Sequence, residues 1–127
     1  MRHHALERAR PSSGFELYSW FYMRISGVLI SLLLLGHIII MHVLHHVDEI
    51  DYQFAADRLA NPFWRIYDLV LLALVLAHGL TGVRIVIDDY IHNRGWRVVL
   101  KTLLCATGVL FFVVGAFVLM AFEPVTG

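Results

Sequence analysis

Cysteine is nearly absent from this 127-residue chain, which contains only Cys105. With no second thiol in the chain, an intramolecular disulfide is excluded and a metal-thiolate site is disfavoured. We therefore expect Cys105 to be a packing residue. The sequence also lacks a clear internal repeat, a low-complexity tract and a second domain, so we treat residues 1–127 as one domain.

Charged residues are scarce in three long apolar runs, at about residues 25–44, 63–83 and 102–122. The chain is 59% hydrophobic with a mean hydropathy of +0.71, whereas a soluble domain averages roughly 45–50% apolar residues. Each run matches the roughly 20 residues needed to cross the core of a bilayer. The sequence therefore predicts an all-α membrane protein with three transmembrane helices, at about residues 17–44, 63–91 and 96–122.

The N-terminal segment has no apolar region followed by a small-residue cleavage site, which disfavours a cleaved signal peptide. We expect residues 1–16 to be a retained cytoplasmic arm. The net charge is zero, yet eight of the ten basic residues fall on the side of this arm: Arg2, Arg8, Arg10, Arg24, Arg84, Arg94, Arg97 and Lys101. By the positive-inside rule this asymmetry predicts a cytoplasmic N-terminus, with the acid-rich connection at 45–68 on the outer face.

Two histidines lie deep in the predicted spans. His78 lies in the second span and His37, preceded by Gly36, lies at mid-helix depth in the first. A polar residue inside a span usually faces protein, a cofactor or a cavity, because its exposure to lipid is costly. No acidic residue lies in the middle of a span, which disfavours an ion-coupled transporter of small solutes.

His78 is the strongest candidate for chemistry. Neutral imidazole is a standard axial ligand of haem, and glycines such as Gly79 and Gly82 leave room for a flat macrocycle beside a helix. The alternative is a histidine that hydrogen-bonds a neighbouring helix, beside glycines that serve close packing. The spacing of these residues leaves both interpretations open. His37 alone is better interpreted as a packed histidine, but two glycine-adjacent histidines on separate spans strengthen each other as ligands.

Two aspartates near the cytoplasmic end of the second span are predicted to lie on different faces of the helix. At about 100° per residue, Asp89 returns to the side of His78, roughly 16 Å along the helix. Asp88 instead lies four residues after Arg84 and is placed to pair with it. In the third span, Gly108 and Gly115 lie on one face and predict a packing groove.

Two segments resemble a known family, the hydrophobic membrane anchor subunits of succinate dehydrogenase, the respiratory complex II. They are "FELYSWFYMRISGVLISLLLLGHIIIMHVL" and "FAADRLANPFWRIYDLVLLALVLAHGLTGVRIVIDDY". The second is the more specific, because histidine followed at this spacing by Asp-Tyr is characteristic of these subunits. The resemblance implies that the three helices pack with three from a second, separate membrane subunit of succinate dehydrogenase, which we call the companion membrane subunit. Both would lie beneath an iron-sulfur subunit and a flavoprotein subunit, in the bacterial inner membrane.

The resemblance also implies roles for particular residues. His78, and His37 in anchors with two haems, would be axial haem b ligands opposite histidines of the companion membrane subunit. Asp89 and Tyr90 would lie at a quinone site that Arg24 and Ser26 flank, and the similarity favours menaquinone. Such a chain is not catalytic alone, since succinate is oxidised in another subunit. A fumarate reductase anchor and a haem-free structural anchor remain the alternatives.

Overall fold

The computed structural model describes residues 14–122, and three long helices dominate it. They are α1 (Gly14–Ile38), α3 (Pro62–Tyr90) and α4 (Arg94–Ala121), with a short helix α2 (Tyr52–Ala60) between the first two. Within the described residues there is no strand. The predicted all-α architecture is confirmed. Most of the predicted arm at 1–16 lies outside the described residues, and its last three residues are already helical.

The connection between α1 and α2 begins within the membrane span. A π-helical turn, Ile39–Val43, continues α1, and a 3-10 turn, Val47–Glu49, leads toward α2. Asp51 caps α2 by accepting a 2.8 Å hydrogen bond from the Phe54 amide. The polar segment before the second span is therefore a helix in its own right, because Asp51 satisfies an amide that would otherwise be free at its start.

Asparagine side chains set where the next two helices begin. The amide oxygen of Asn61 accepts a 2.9 Å hydrogen bond from the Phe63 amide, and Pro62 occupies the first turn of α3. Proline suits this position because its missing N–H would have no helical partner there. Asn93 caps α4 through the amides of Gly95 and Trp96, at 2.9 and 3.3 Å.

The three long helices are apolar enough to cross a membrane: Gly14–Val43, Pro62–Tyr90 and Arg94–Ala121. At about 1.5 Å per residue each is longer than the roughly 30 Å apolar core of a bilayer. Only 6% of the most apolar window of each span is buried inside this chain. Most of the apolar surface is therefore available to lipid and to other subunits.

The middle helix, α3, packs against both α1 and α4. Toward α4, leucines fill the space above glycines: a Cβ at Gly108 would overlap the Leu80 side chain, and one at Gly115 would lie 2.7 Å from Leu72 Cδ2. The predicted packing groove is confirmed. Cys105 is exposed within this chain, because α4 turns its glycine face, not Cys105, toward α3, so its packing stays a prediction about surfaces outside the chain.

Candidate functional site

A first polar cluster joins α1 and α3 near the middle of the spans. His78 Nδ1 lies 2.8 Å from Ser26 Oγ. Ser26 is 2% exposed and is the only buried polar residue among residues 14–122. The His78 ring lies over Gly27, where an added Cβ would be 3.5 Å from Cε1. Helix α1 thus offers the imidazole a hydroxyl and, one residue later, a position with no side chain.

The hydrogen bonds of Ser26 favour one tautomer of His78. Ser26 Oγ also contacts the Met23 carbonyl oxygen at 3.4 Å, and only a donated proton can make that contact a hydrogen bond. A Ser26 hydroxyl that donates to Met23 accepts from His78 Nδ1–H, and in that tautomer Nε2 keeps its lone pair. The His78 ring makes no second hydrogen bond within the described residues. Histidines that bind metals commonly donate their other ring N–H to such an acceptor.

The glycines near His78 on α3 have different surroundings. A Cβ built at Gly79 would meet nothing within 4 Å, whereas one at Gly82 would lie 3.8 Å from Met23 Cε on α1. Gly79 therefore does not serve helix packing within this chain, and it leaves open surface beside the imidazole. The glycine against the ring is Gly27, which the sequence pattern did not single out. The sequence feature that could have identified Gly27 is its position directly after Ser26 in "MRISGV".

A second polar cluster joins α1, α2 and α3 at the opposite end of the bundle from Asp89. The Arg58 guanidinium binds Asp68 through two hydrogen bonds, Nη1 to Oδ2 at 2.7 Å and Nη2 to Oδ1 at 3.0 Å. His37 Nδ1 lies 3.4 Å from Asp68 Oδ1. This distance is within ion-pair range, but the geometry is not that of a hydrogen bond, and Nδ1 is buried without a hydrogen-bond partner in the described residues. We call these three residues the Arg58–Asp68–His37 cluster.

Aromatic residues and a groove surround the Arg58–Asp68–His37 cluster. The Tyr67 hydroxyl donates to the Leu33 carbonyl oxygen, one turn before His37. The Arg58 guanidinium lies 5.0 Å from the centroid of the Trp64 ring. His37 and Asp68 are the polar residues at the edge of an otherwise apolar groove of about 530 Å³, which α1, α3 and α4 form together. The imidazole therefore lies between an ion pair and an apolar surface.

The two histidines lie at different depths. On α1, Ser26 and His37 are separated by about 16 Å at roughly 1.5 Å per residue, and His78 and Asp68 on α3 by a similar distance. His37 lies nearer to the end of its span than to the middle, six residues before Val43 in the span Gly14–Val43. His78 lies near the middle of its span.

The four residues predicted at a quinone site do not come together within this chain. Ser26 belongs to the His78 cluster. Arg24 lies over the Trp20 ring, 4.0 Å from its centroid, and borders an open cleft of about 370 Å³ between α1 and α3. Asp89 and Tyr90 are exposed and do not line that cleft. Tyr90 is 76% exposed and borders a separate concavity at the turn into α4.

Asp88 and Asp89 differ in their ion pairs, as predicted. Asp88 lies 3.8 Å from Arg84 Nε. It also reaches α4, with Lys101 Nζ at 2.5 Å and Arg97 Nε at 3.7 Å, contacts that one helix pattern could not indicate. Asp89 makes no ion pair within residues 14–122. Asp88 therefore joins α3 to α4, and Asp89 is left available to another molecule.

Residues 14–122 do not contain a cluster of metal ligands. Among the described residues, no three side chains of histidine, cysteine, aspartate or glutamate form a group able to hold a metal ion. An axial haem ligand does not require such a group, because the porphyrin supplies four nitrogens and the protein supplies single side chains from each face. The arrangement around His78 meets that requirement from one face.

Comparison with known proteins shows one consistent similarity. Residues 2–121 match the family described as succinate dehydrogenase/fumarate reductase transmembrane subunit. The chain is 33% identical to the succinate dehydrogenase hydrophobic membrane anchor subunit of Archaeoglobus fulgidus over 93 residues, 72% of this chain and 76% of that protein. It is 28% identical to the subunit of the same name from Coxiella burnetii over 94 residues, 74% of this chain and 79% of that protein. The identity is also 28% with that of Rickettsia felis, over 103 residues that cover 79% of this chain and 83% of the relative.

Proposed function

The chain belongs to the family of succinate dehydrogenase/fumarate reductase transmembrane subunits, and from this premise we propose how it acts as a membrane anchor of succinate dehydrogenase. The anchor binds haem b through His78 and helps to form the site where quinone is reduced. Its partners are the companion membrane subunit in the bilayer and the iron-sulfur and flavoprotein subunits in the cytoplasm. The chain is not catalytic by itself, because succinate is oxidised at the flavin of another subunit.

The hydrogen bond between His78 and Ser26 carries the haem proposal. It occupies Nδ1, holds the ring against Gly27 and leaves Nε2 with a lone pair at an open surface beside Gly79. An axial ligand requires this combination: an oriented ring, a free nitrogen and room for a flat group. A bound haem b supplies a one-electron redox centre in the apolar part of the membrane. The companion membrane subunit would complete the site from its other side.

A second haem position at His37 forms part of the proposal. Its Nδ1 is turned toward Asp68, so Nε2 is the nitrogen left for a ligand. His37 also borders the apolar groove of about 530 Å³, and a largely apolar macrocycle prefers such surroundings to water. The separation of about 16 Å from the level of His78 leaves room for two cofactors at different depths.

The quinone part of the proposal rests on Asp89 and Tyr90. Quinone oxygens accept hydrogen bonds, and reduction to quinol takes up two protons and two electrons. The Tyr90 hydroxyl is exposed and makes no hydrogen bond within residues 14–122, so it is available as a donor. The exposed Asp89 carboxylate lies beside it and can carry protons from the cytoplasmic surface. Arg24 borders the cleft between α1 and α3, and we propose that it flanks the quinone site in the assembled complex and that menaquinone is the substrate.

A haem-free anchor is the competing function, and it is compatible with the same hydrogen bond. The Ser26–His78 hydrogen bond would equally satisfy a histidine that only packs between helices. In the haem-binding anchor Nε2 of His78 is a ligand, and in the haem-free anchor it is not. A measurement of haem content distinguishes the two functions.

The deciding experiment replaces His78 by alanine in the complete, membrane-extracted complex. We expect one haem b per flavin to be lost in dithionite-reduced minus oxidised spectra, because no other imidazole within residues 14–122 lies at that depth. Succinate oxidation with a soluble dye acceptor should persist, since it does not use the membrane subunits.

His46→Ala is the matched control, because His46 is exposed on the connection after α1 and its loss should leave the spectrum unchanged. Unchanged haem content in His78→Ala would reject His78 as a ligand. A wild-type complex without a haem b band would establish the haem-free anchor.

A further inference from the structure

We propose that Asp68, held by Arg58, is a positioning residue for the His37 imidazole, directing Nδ1 toward α3 and Nε2 toward the groove. This inference rests on the proposed ligation of haem by His37. It concerns the side chains behind the imidazole, which decide how firmly the ring is held and how strong a ligand it is.

The Asp68 carboxylate is paired and held in place by Arg58. An unpaired carboxylate inside a membrane span is costly, and Asp68 is only 12% exposed. Arg58, itself 10% exposed, binds both oxygens, which neutralises the charge and fixes the plane of the carboxylate. A paired arginine and carboxylate of this kind form a rigid acceptor, because the guanidinium fork does not rotate freely once both hydrogen bonds form.

Both His37 Nδ1 and Asp68 Oδ1 can take part in one more hydrogen bond than they make. A carboxylate oxygen has two acceptor sites, and Arg58 Nη2 occupies only one on Asp68 Oδ1. His37 Nδ1, 3.4 Å away, is buried and has no hydrogen-bond partner in the described residues. A buried donor without a partner is destabilising. A small rotation of the ring brings Nδ1–H into line with Oδ1 and removes this cost.

The backbone of α1 near His37 is fixed against α3 by a hydrogen bond from Tyr67. Tyr67 donates to the Leu33 carbonyl oxygen, which ties α1 to α3 one turn before His37. Tyr67 and Asp68 are neighbours on α3. Tyr67 holds the backbone of α1, and Asp68 lies beside the His37 imidazole. The remaining freedom is rotation of the His37 side chain, and Asp68 is placed to limit it.

The chemical consequence follows from the strength of the carboxylate as a hydrogen-bond acceptor, which Arg58 lowers but does not abolish. A carboxylate that accepts from Nδ1–H makes the imidazole a stronger electron donor at Nε2 and so stabilises oxidised iron. His78 has a neutral hydroxyl as its acceptor instead. Removing the carboxylate at Asp68 should therefore raise the midpoint potential of the haem that depends on His37.

The test uses Asp68→Asn in the complete complex, with three readouts: haem b per flavin, the midpoint potential of each haem, and the low-spin haem signals in electron paramagnetic resonance. We expect the haem that is lost in His37→Ala to have a higher potential and a shifted resonance in Asp68→Asn. We expect its affinity to fall about 10-fold, the lower end of the effect of an outer-shell substitution.

The matched control is Asp57→Asn, since Asp57 is an exposed carboxylate on α2 that contacts Gln53 instead of a histidine. It should change none of the three readouts. Because Asp68→Asn leaves Arg58 buried without its partner, the double variant Arg58→Gln/Asp68→Asn is measured as well. It removes both charges together, and it should show the same shifts if the carboxylate acts on His37.

Each outcome separates this inference from the proposed function. If His37→Ala keeps all of its haem, His37 is not a ligand, and both the second haem position and the inference about Asp68 fail. If His37→Ala loses a haem but Asp68→Asn and the double variant keep the wild-type potential and resonance, the positioning role is overturned and the ligand role stands. In that case the Arg58–Asp68 pair only joins α2 to α3.

Discussion

The two faces of α3 differ in the kind of contact that they make. Toward α4 the contacts within the span are apolar, with leucines such as Leu80 over glycines such as Gly108, and the ion pairs of Asp88 lie at the end of the helix. Toward α1 they are polar, as between His78 and Ser26. Close packing holds helices together in lipid, where the hydrophobic effect does not drive them together. A polar contact can orient a ring nitrogen, so one helix both anchors the bundle and presents candidate ligands.

We expect the largest effect from a substitution that disrupts the apolar packing between α3 and α4. In Gly108→Leu the new side chain would overlap Leu80, and overpacking of this kind costs about 1–3 kcal/mol or more. We expect α3 and α4 to separate, with less assembled complex in membranes and a lower melting temperature in detergent. Haem loss should follow only in proportion to the loss of complex, because neither residue belongs to the His78 cluster.

The control for this variant exchanges the two side chains. Leu80→Gly with Gly108→Leu keeps one leucine and one glycine at the contact, so it should recover part of the lost stability if the overlap is the cause. A double variant no more stable than Gly108→Leu would show that Gly108 serves something other than this contact.

A smaller effect is expected at the C-terminal end of α3, where Asp88 faces α4 and Asp89 and Tyr90 are exposed. Tyr90→Phe and Asp89→Asn should each slow quinone reduction about fivefold with haem retained, since a lost hydrogen bond is worth about 1 kcal/mol. Asp88→Asn, one residue earlier, should leave the rate unchanged, because Asp88 contacts Lys101 and Arg97 of α4. The assay is steady-state reduction of a menaquinone analogue by succinate, and wild-type rates in the first two variants would place the quinone elsewhere.

The smallest effect is expected from Ser26→Ala, which weakens the polar face without removing the ligand. Loss of one hydrogen bond to His78 costs about 1 kcal/mol. We expect haem to be retained, with a small shift of its absorption band and faster loss under detergent. Ser31→Ala is the matched control, because Ser31 Oγ donates to the Gly27 carbonyl oxygen and does not contact His78. Equal behaviour of the two variants would contradict a supporting role for Ser26.

Local sequence signals predicted several features of the structure closely. Asn61 and Pro62 mark the start of α3, because a cap and a fixed φ act within a few residues. The pairing of Asp88 with Arg84 followed from a spacing of four on one helix. His78 stood out because a histidine in an apolar run needs a partner.

Contacts between helices were less predictable. The sequence indicated neither that Ser26 would meet His78 nor that His37 would meet Asp68, because each pair is separated by a long stretch of chain and depends on helix register. The role of Gly27 could not be predicted for the same reason, since only the placement of α1 against α3 shows what lies over it.

By itself, the sequence determined that this chain is an all-helical membrane protein with three spans and polar residues at particular positions. Long apolar runs leave few other structures in lipid, because every backbone amide there must be hydrogen-bonded within the segment. Only the tertiary structure decided which nitrogen of His78 is occupied, that Asp68 carries Arg58 and faces His37, and that Asp88 faces α4. Those outcomes depend on the register and rotation of packed helices, which interhelical contacts set and the pattern along one helix does not.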